Sequence, residues 1–294
     1  MIVSTIRTGG GKIGRTKSQS TPGSRRHRYK AQIILPGFSC GLRLFLPALL
    51  SVMLMTASLK ADVARIAVAA NFANVIKELE HRFENATDYR VSIVTGSTGK
   101  LYAQIVNGAP YEVFLSADAW RPRLLEQGAF AIPGTRFTYA IGQLVIWSLQ
   151  PLPDGKDLAA LLTNATVRRI AVPNPELAPF GFAALEVINH LDIADDIAAK
   201  LVFAENVGQS FAFVATGNAD LGFVAKANIL FLPDAQRGHF REVPTDLHLA
   251  IRQDAVTLKS AADNEAALAF VEFLRSQEAR AVIARYGYQL ADND

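Results

Sequence analysis

From Arg65 onward the chain alternates short apolar runs with amphipathic segments, and a turn of small or polar residues separates each run from the next segment. IAVAA (66–70), VSIVT (91–95) and VFLSA (113–117) read as buried strands. Between the first two, Val75, Leu79 and Phe83 recur at fourfold spacing with Lys77, Glu78 and Glu80 among them, an amphipathic helix. KLYAQIVNG (100–108) is a second helix stopped by Gly108, and a third runs through Leu125 to Gly128. Parallel strands need long crossovers, so this order demands a sheet covered by its own helices. A second set follows: RRIAV (168–172), a helix from near Gly181, LVFA (201–204), the helix QSFAFVATGN (209–218), LGFVA (221–225) and HFREV (239–243). Two longer β runs, TYAIGQLVIWS (138–148) and LHLAIRQ (247–253), bracket that set, and 264–286 reads as helical with Leu268, Phe270, Val271 and Leu274 as its apolar face. The expectation is an α/β chain of two lobes, each a mainly parallel sheet flanked by helices, joined by a β-type hinge. Lobe 1 comprises 62–143 plus 245–294, and lobe 2 (144–244) is inserted into it. Ligands of such paired lobes sit in the cleft between them.

Charge divides the chain in another place. The formal net charge of +3 arises from two unlike parts: residues 1–60 hold ten Lys/Arg and no Asp or Glu, which leaves twenty basic and twenty-seven acidic residues for the rest. The part beyond residue 60 is therefore acidic, and a nucleic-acid partner is not expected. After the basic stretch comes LRLFLPALLSVMLMTASLKA (42–61), closing on the small residues Ala57, Ser58 and Ala61. Its unbroken apolar part, 44–55, is short for a bilayer span and contains Pro47. Residues 1–61 thus read as a signal segment for export to the periplasm, with the mature chain not embedded in the membrane. Cys40 lies in this leader and is the only cysteine. The mature chain then has no disulfide, no thiol nucleophile and no thiolate metal ligand.

Four junctions share one construction, in which a strand ends, small or polar residues turn the chain, and a helix starts. They are Ala70-Asn71-Phe72, Gly96-Ser97-Thr98-Gly99, Ala178-Pro179-Phe180-Gly181 and Glu205-Asn206-Val207-Gly208. Each turns free backbone N–H groups and the positive end of a helix dipole toward whatever lies beyond the strand's carboxyl end. Taken singly, Asn71, Ser97, Thr98 and Asn206 are ordinary N-caps. Two such turns from each lobe make an anion site without a charged side chain. Lys100 follows Gly99 as a helix residue and is expected to point to solvent.

Enzyme chemistry finds little support. His81, His190, His239 and His248 show no metal-pair spacing with Asp or Glu, and no cation-type metal ligand set is expected. Ser97 stands in GSTG, outside the Gly-x-Ser-x-Gly nucleophile elbow, and GSTGK lacks the spacing of a nucleotide phosphate loop. Asp118 in SADAW reads as a helix cap.

AVAANFANVIKELEHRF, TGSTGKLYAQIVNGAPYEVFLSAD, PGTRFTYAIGQLVIWS, VPNPELAPFGFAALEVI and ENVGQSFAFVATGNADLGFV closely resemble, in this order, the molybdate-binding periplasmic components of ATP-binding-cassette importers. The resemblance runs from about residue 65 to 290. It implies a type II periplasmic-binding-protein fold, capture of molybdate or tungstate between the lobes, no cofactor, and delivery by a monomer to a membrane permease with a cytoplasmic ATPase. Carried over by position, the ligand-binding residues are Asn71 with Phe72, then Ser97 and Thr98, then Phe180, then Val207. Phe180 and Val207 could act only through backbone N–H; Asn71, Ser97 and Thr98 could also use side chains. Family members place a tyrosine hydroxyl at the position of Phe180 or of Ala225, and this chain has neither. The implied site is one donor short or recruits another, such as Tyr139 or a water. Two alternatives stand beside this reading: a receptor of the same fold for sulfate or thiosulfate, and a periplasmic enzyme on a solute-receptor fold, which would need a carboxylate or histidine aimed at the cleft.

Overall fold

A computed structural model describes residues 62–153 and 157–291. Residues 1–61, read from the sequence as an export segment, and Cys40 within them lie outside the described residues. In chain order the first part contains β1 (Val63–Ala69), α1 (Ala73–Ala86), β2 (Arg90–Gly96), α2 (Thr98–Val106), β3 (Val113–Leu115), α3 (Trp120–Gln127) and β4 (Phe137–Gly142). The chain then crosses into β5 (Leu144–Ser148), α4 (Leu158–Thr163), β6 (Ile170–Pro173), α5 (Pro179–His190), α6 (Ala194–Ile197), β7 (Leu201–Ala204), α7 (Val207–Ala215), β8 (Leu221–Ala225), α8 (Asp234–Arg237) and β9 (His239–Glu242). It returns through β10 (Ile251–Thr257) to α9 (Glu265–Arg275) and α10 (Gln277–Arg285).

Among the described residues these strands form two five-stranded sheets, ordered β2-β1-β3-β10-β4 and β7-β6-β8-β5-β9. β1 pairs parallel with β2 and β3, and β10 runs antiparallel between β3 and β4. The second sheet repeats the plan: β6 is parallel to β7 and β8, and β5 is antiparallel to β8 and β9. In each sheet the antiparallel strand is one that has just crossed from the other lobe, so the crossings build both sheets at once. TYAIGQLVIWS is accordingly two strands, with Gln143 between the last residue of one sheet and the first of the other. The return crossing is less strand-like than its sequence implies. LHLAIRQ is extended only from Ile251, because Pro244 starts a turn closed by Leu247 N–H on its carbonyl at 3.2 Å.

The cores follow the apolar runs. Sheet 1 buries Ile66, Val68, Phe72, Leu79, Phe83 and Phe270 on one face and Ala67, Leu101, Phe114 and Val256 on the other. Sheet 2 buries Trp147, Val172, Phe180, Val187, Phe223 and Val224, and Ala69 and Ala117 from the strand ends of lobe 1 join that same cluster. The lobes are therefore packed together at the carboxyl ends of their strands. The C-terminal helix is two helices, broken at Ser276, whose side chain accepts from Ala279 N–H and caps the second. Its buried face is Ala266, Ala267, Phe270 and Leu274, whereas Leu268 is 44% exposed, a quarter turn or more from that stripe. No helix among the described residues is long and apolar enough to cross a membrane.

Candidate functional site

Each of the four turns lies at the carboxyl end of a strand, and contacts across the cleft draw them together. Gly99 N–H at the start of α2 donates to the Leu177 carbonyl before α5, at 2.9 Å. Arg121, paired with Asp118 at 2.5 Å, donates to the Glu176 carbonyl at 2.8 Å. A Cβ on Gly208 in the first turn of α7 would lie 3.7 Å from that of Ala70. Lys100 is exposed to solvent as expected, and at the cleft edge it pairs with Glu205 of the fourth turn at 2.6 Å. The cleft is closed, and Asn71, Phe72, Ser97, Thr98, Phe180 and Val207 are all buried.

The reason each turn takes its shape is local. Ser97 has extended backbone and opens α2 as its N-cap residue, yet its side chain caps nothing: the Oγ, on a residue 1% exposed, has no hydrogen-bond partner. Thr98 Oγ1 accepts from Ala117 N–H at 3.3 Å and ties the second turn to the end of β3. In the third turn Pro179 supplies the fixed φ of a first helical residue and leaves Phe180 N–H with no intrahelical acceptor. Gly181 follows because a Cβ there would stand 2.1 Å from the Pro173 carbonyl oxygen, so α5 can start this close to β6 only with glycine. Asn206 is an ordinary N-cap, accepting from Gln209 N–H at 3.0 Å, and by position it leaves Val207 and Gly208 N–H free.

Asn71 behaves differently from its sequence reading. Its Nδ2 donates to Gln253 Oε1 at 2.8 Å and to the Tyr288 hydroxyl at 3.0 Å, and its Oδ1 has no partner. Tyr288 in turn donates to the Asn71 carbonyl at 2.9 Å. Both side-chain N–H groups of Asn71 are thus engaged within lobe 1, which leaves the backbone N–H for a ligand. Phe72 packs edge-on against Tyr139 and Tyr288, with ring centres 4.9 Å and 5.4 Å away, so its side chain is core. Tyr139 is not a spare donor either: its single hydroxyl proton is shared between the Ser116 carbonyl at 3.0 Å and Gln253 Oε1 at 3.1 Å. Burial pushes the phenols of Tyr139 and Tyr288 upward, and both stay protonated.

Oxyanion chemistry suits this arrangement. Neutral donors on buried residues and helix N-termini, each equivalent to about half a positive charge, are the groups that hold an oxyanion without a cation. The histidines stand apart from it. His81 bonds Asn85, His190 the Glu186 carbonyl and His248 the Leu249 carbonyl, and among the described residues no cluster of metal-ligating side chains occurs. A surface groove of about 460 Å³ between Trp120, Phe182 and Leu249 also spans the lobes; its lining is mostly apolar, with Asp118, Arg121, Glu186 and Arg252 among it.

The model of the family described as bacterial extracellular solute-binding protein matches residues 64–289. The chain belongs to this family. This solute-binding protein is 42% identical over 222 residues to the molybdate-binding protein ModA of Rhodobacter capsulatus, across 76% of this chain and 86% of that relative. To ModA of Azotobacter vinelandii it is 41% identical over 237 residues, 81% of this chain and 94% of the relative. Among solved structures, the periplasmic molybdate-binding protein of Azotobacter vinelandii superposes with a TM-score of 0.74 at 40% identity, covering 78% of this chain and all of that one.

Within the solute-binding protein, contacts bring the second turn to the segment before the third and the first turn to the fourth, and one buried polar residue lies outside all four. Gln253 lies on β10 with its Nε2 unpartnered. No turn or helix start marks it. The one available signal was an uncharged polar residue within a strand whose neighbours, Ile251 and Ala255 to Thr257, are buried.

Proposed function

We propose that the protein is an extracytoplasmic receptor that takes up molybdate, and tungstate by the same geometry, in the cleft between its lobes. It hands the anion to the permease of an ATP-binding-cassette importer and catalyses no step itself. The observation that carries this reading is the buried, unpartnered Ser97 Oγ at the start of α2, in a closed cleft that helix N-termini reach from both lobes. Ser97 and Thr98 hydroxyls and the backbone N–H groups of Asn71, Phe72, Phe180 and Val207 are the proposed donors. A dianion held by neutral dipoles needs no counter-ion in the pocket, and size then selects among anions. Similarity to molybdate-binding proteins over most of the chain supports the same ligand, and a periplasmic location fits the relatives.

Equilibrium dialysis against sodium molybdate or sodium tungstate, followed by elemental analysis, tests the reading. It predicts one molybdenum or tungsten per chain; protein that retains neither metal would overturn it.

A further inference from the structure

A side chain outside the four turns completes the donor set. Gln253 is 0% exposed, and its two ends have opposite circumstances. Oε1 accepts from Asn71 Nδ2 at 2.8 Å and shares the one Tyr139 hydroxyl proton, at 3.1 Å, with the Ser116 carbonyl, whereas Nε2, with two N–H groups, has no partner. Buried polar groups are nearly always hydrogen-bonded, so a buried unpartnered amide marks a place where something else binds.

The orientation of this amide follows from proton counting. Tyr288 has one hydroxyl proton, and it goes to the Asn71 backbone carbonyl at 2.9 Å. The Tyr288 oxygen can then only accept, which turns Asn71 Nδ2 toward it at 3.0 Å. The second Nδ2 proton faces Gln253, so Gln253 must present Oε1 there and Nε2 elsewhere. The free Nε2 lies at the crossing between the lobes, beside Gly142 and the tip of the Phe180 ring. A Cβ built on Gly142 would be 2.7 Å from Gln253 Nε2 and 2.7 Å from Phe180 Cζ. The amide therefore lies between the turn of Asn71 in lobe 1 and the turn of Phe180 in lobe 2. Phe180 brings a ring with no polar atom to that side.

We infer that Gln253 contacts the bound oxyanion, donating an Nε2 hydrogen bond from the hinge side of the cleft, an inference that rests on the receptor reading above. Asn71, Tyr139 and Tyr288 act as positioning residues that fix which end of the amide faces the ligand.

Two variants and one resonance test this on the full-length chain with sodium molybdate. Gln253→Glu keeps an acceptor for Asn71 and Tyr139 and replaces the donor by a carboxylate oxygen; calorimetry should show at least about a hundredfold loss of affinity. Gln253→Met removes the donor without adding charge and should cost about tenfold. In the unaltered chain, labelled with nitrogen-15, the Gln253 side-chain amide cross-peak should move downfield in its proton dimension on saturation. That readout holds whether or not the variants fold. Affinities within twofold for a folded variant, or a cross-peak that stays in place while molybdate binds, would overturn the assignment and leave the receptor reading intact. An unaltered chain that binds no molybdate would overturn both.

Discussion

Ser97 carries the sharpest consequence at the scale of single residues. A hydroxyl that contributes nothing to the folded chain but is withheld from water costs stability and returns it only when an acceptor arrives. Ser97→Ala is therefore expected to leave the melting temperature unchanged or slightly raised while molybdate affinity falls about tenfold or more, since a hydrogen bond to a charged group is worth about 1.5–3 kcal/mol. Thermal melting and calorimetry on the same preparation check both halves; a loss of stability with affinity retained would mean the hydroxyl is structural. Most of the candidate residues were legible because strand–turn–helix junctions announce free N–H groups. Asn71 was legible as a position but not as a chemistry, because its partners Gln253 and Tyr288 lie 182 and 217 residues away in sequence. The same separation hid Gln253, and the bond of Tyr139 to Gln253 spans 114 residues. Lys100 is exposed as its place in the helix implied, but its ion pair with Glu205 was not legible, because the partner comes from the other lobe.

At the scale of elements, closure is a matter of backbone meeting backbone. The first turn of α2 lies against the segment before α5, and a Cβ on Gly99 would be 3.1 Å from Leu177 Cα. Main chain cannot move aside as a flexible side chain does. Gly99→Ala should accordingly weaken molybdate binding by a few-fold to tenfold through impaired closure, with the heat-denaturation profile of the unliganded chain little changed; stopped-flow tryptophan fluorescence would locate the effect in the dissociation rate, and an unaltered rate and affinity would contradict it. Strand positions were readable from apolar runs, LVFA and LGFVA falling on β7 and β8. The break at Ser276 was less so, although a serine followed by Gln277 and Glu278 is a helix-start signature. Leu268 misled because a run of apolar residues does not say which side of the helix faces the sheet.

The whole molecule sets local attraction against its own net charge. Beyond residue 60 the chain is acidic, and the cleft-edge cations Lys100 and Arg121 are each paired with a carboxylate, so the net charge does not favour an anion. What holds the ligand must act over a few ångströms, through aligned amides, hydroxyls and helix ends inside a closed cleft. Each of the two sheets takes one antiparallel strand from a crossing between the lobes, β10 in the first and β5 in the second. Selection of a tetrahedral group-6 oxyanion by this cleft is measured by calorimetric titration of the protein with molybdate, tungstate, sulfate and phosphate at one pH and ionic strength. One-to-one binding of molybdate and tungstate is expected, with sulfate and phosphate at least about a hundredfold weaker. Sulfate binding as tight as molybdate, or no heat from either group-6 anion, would contradict it.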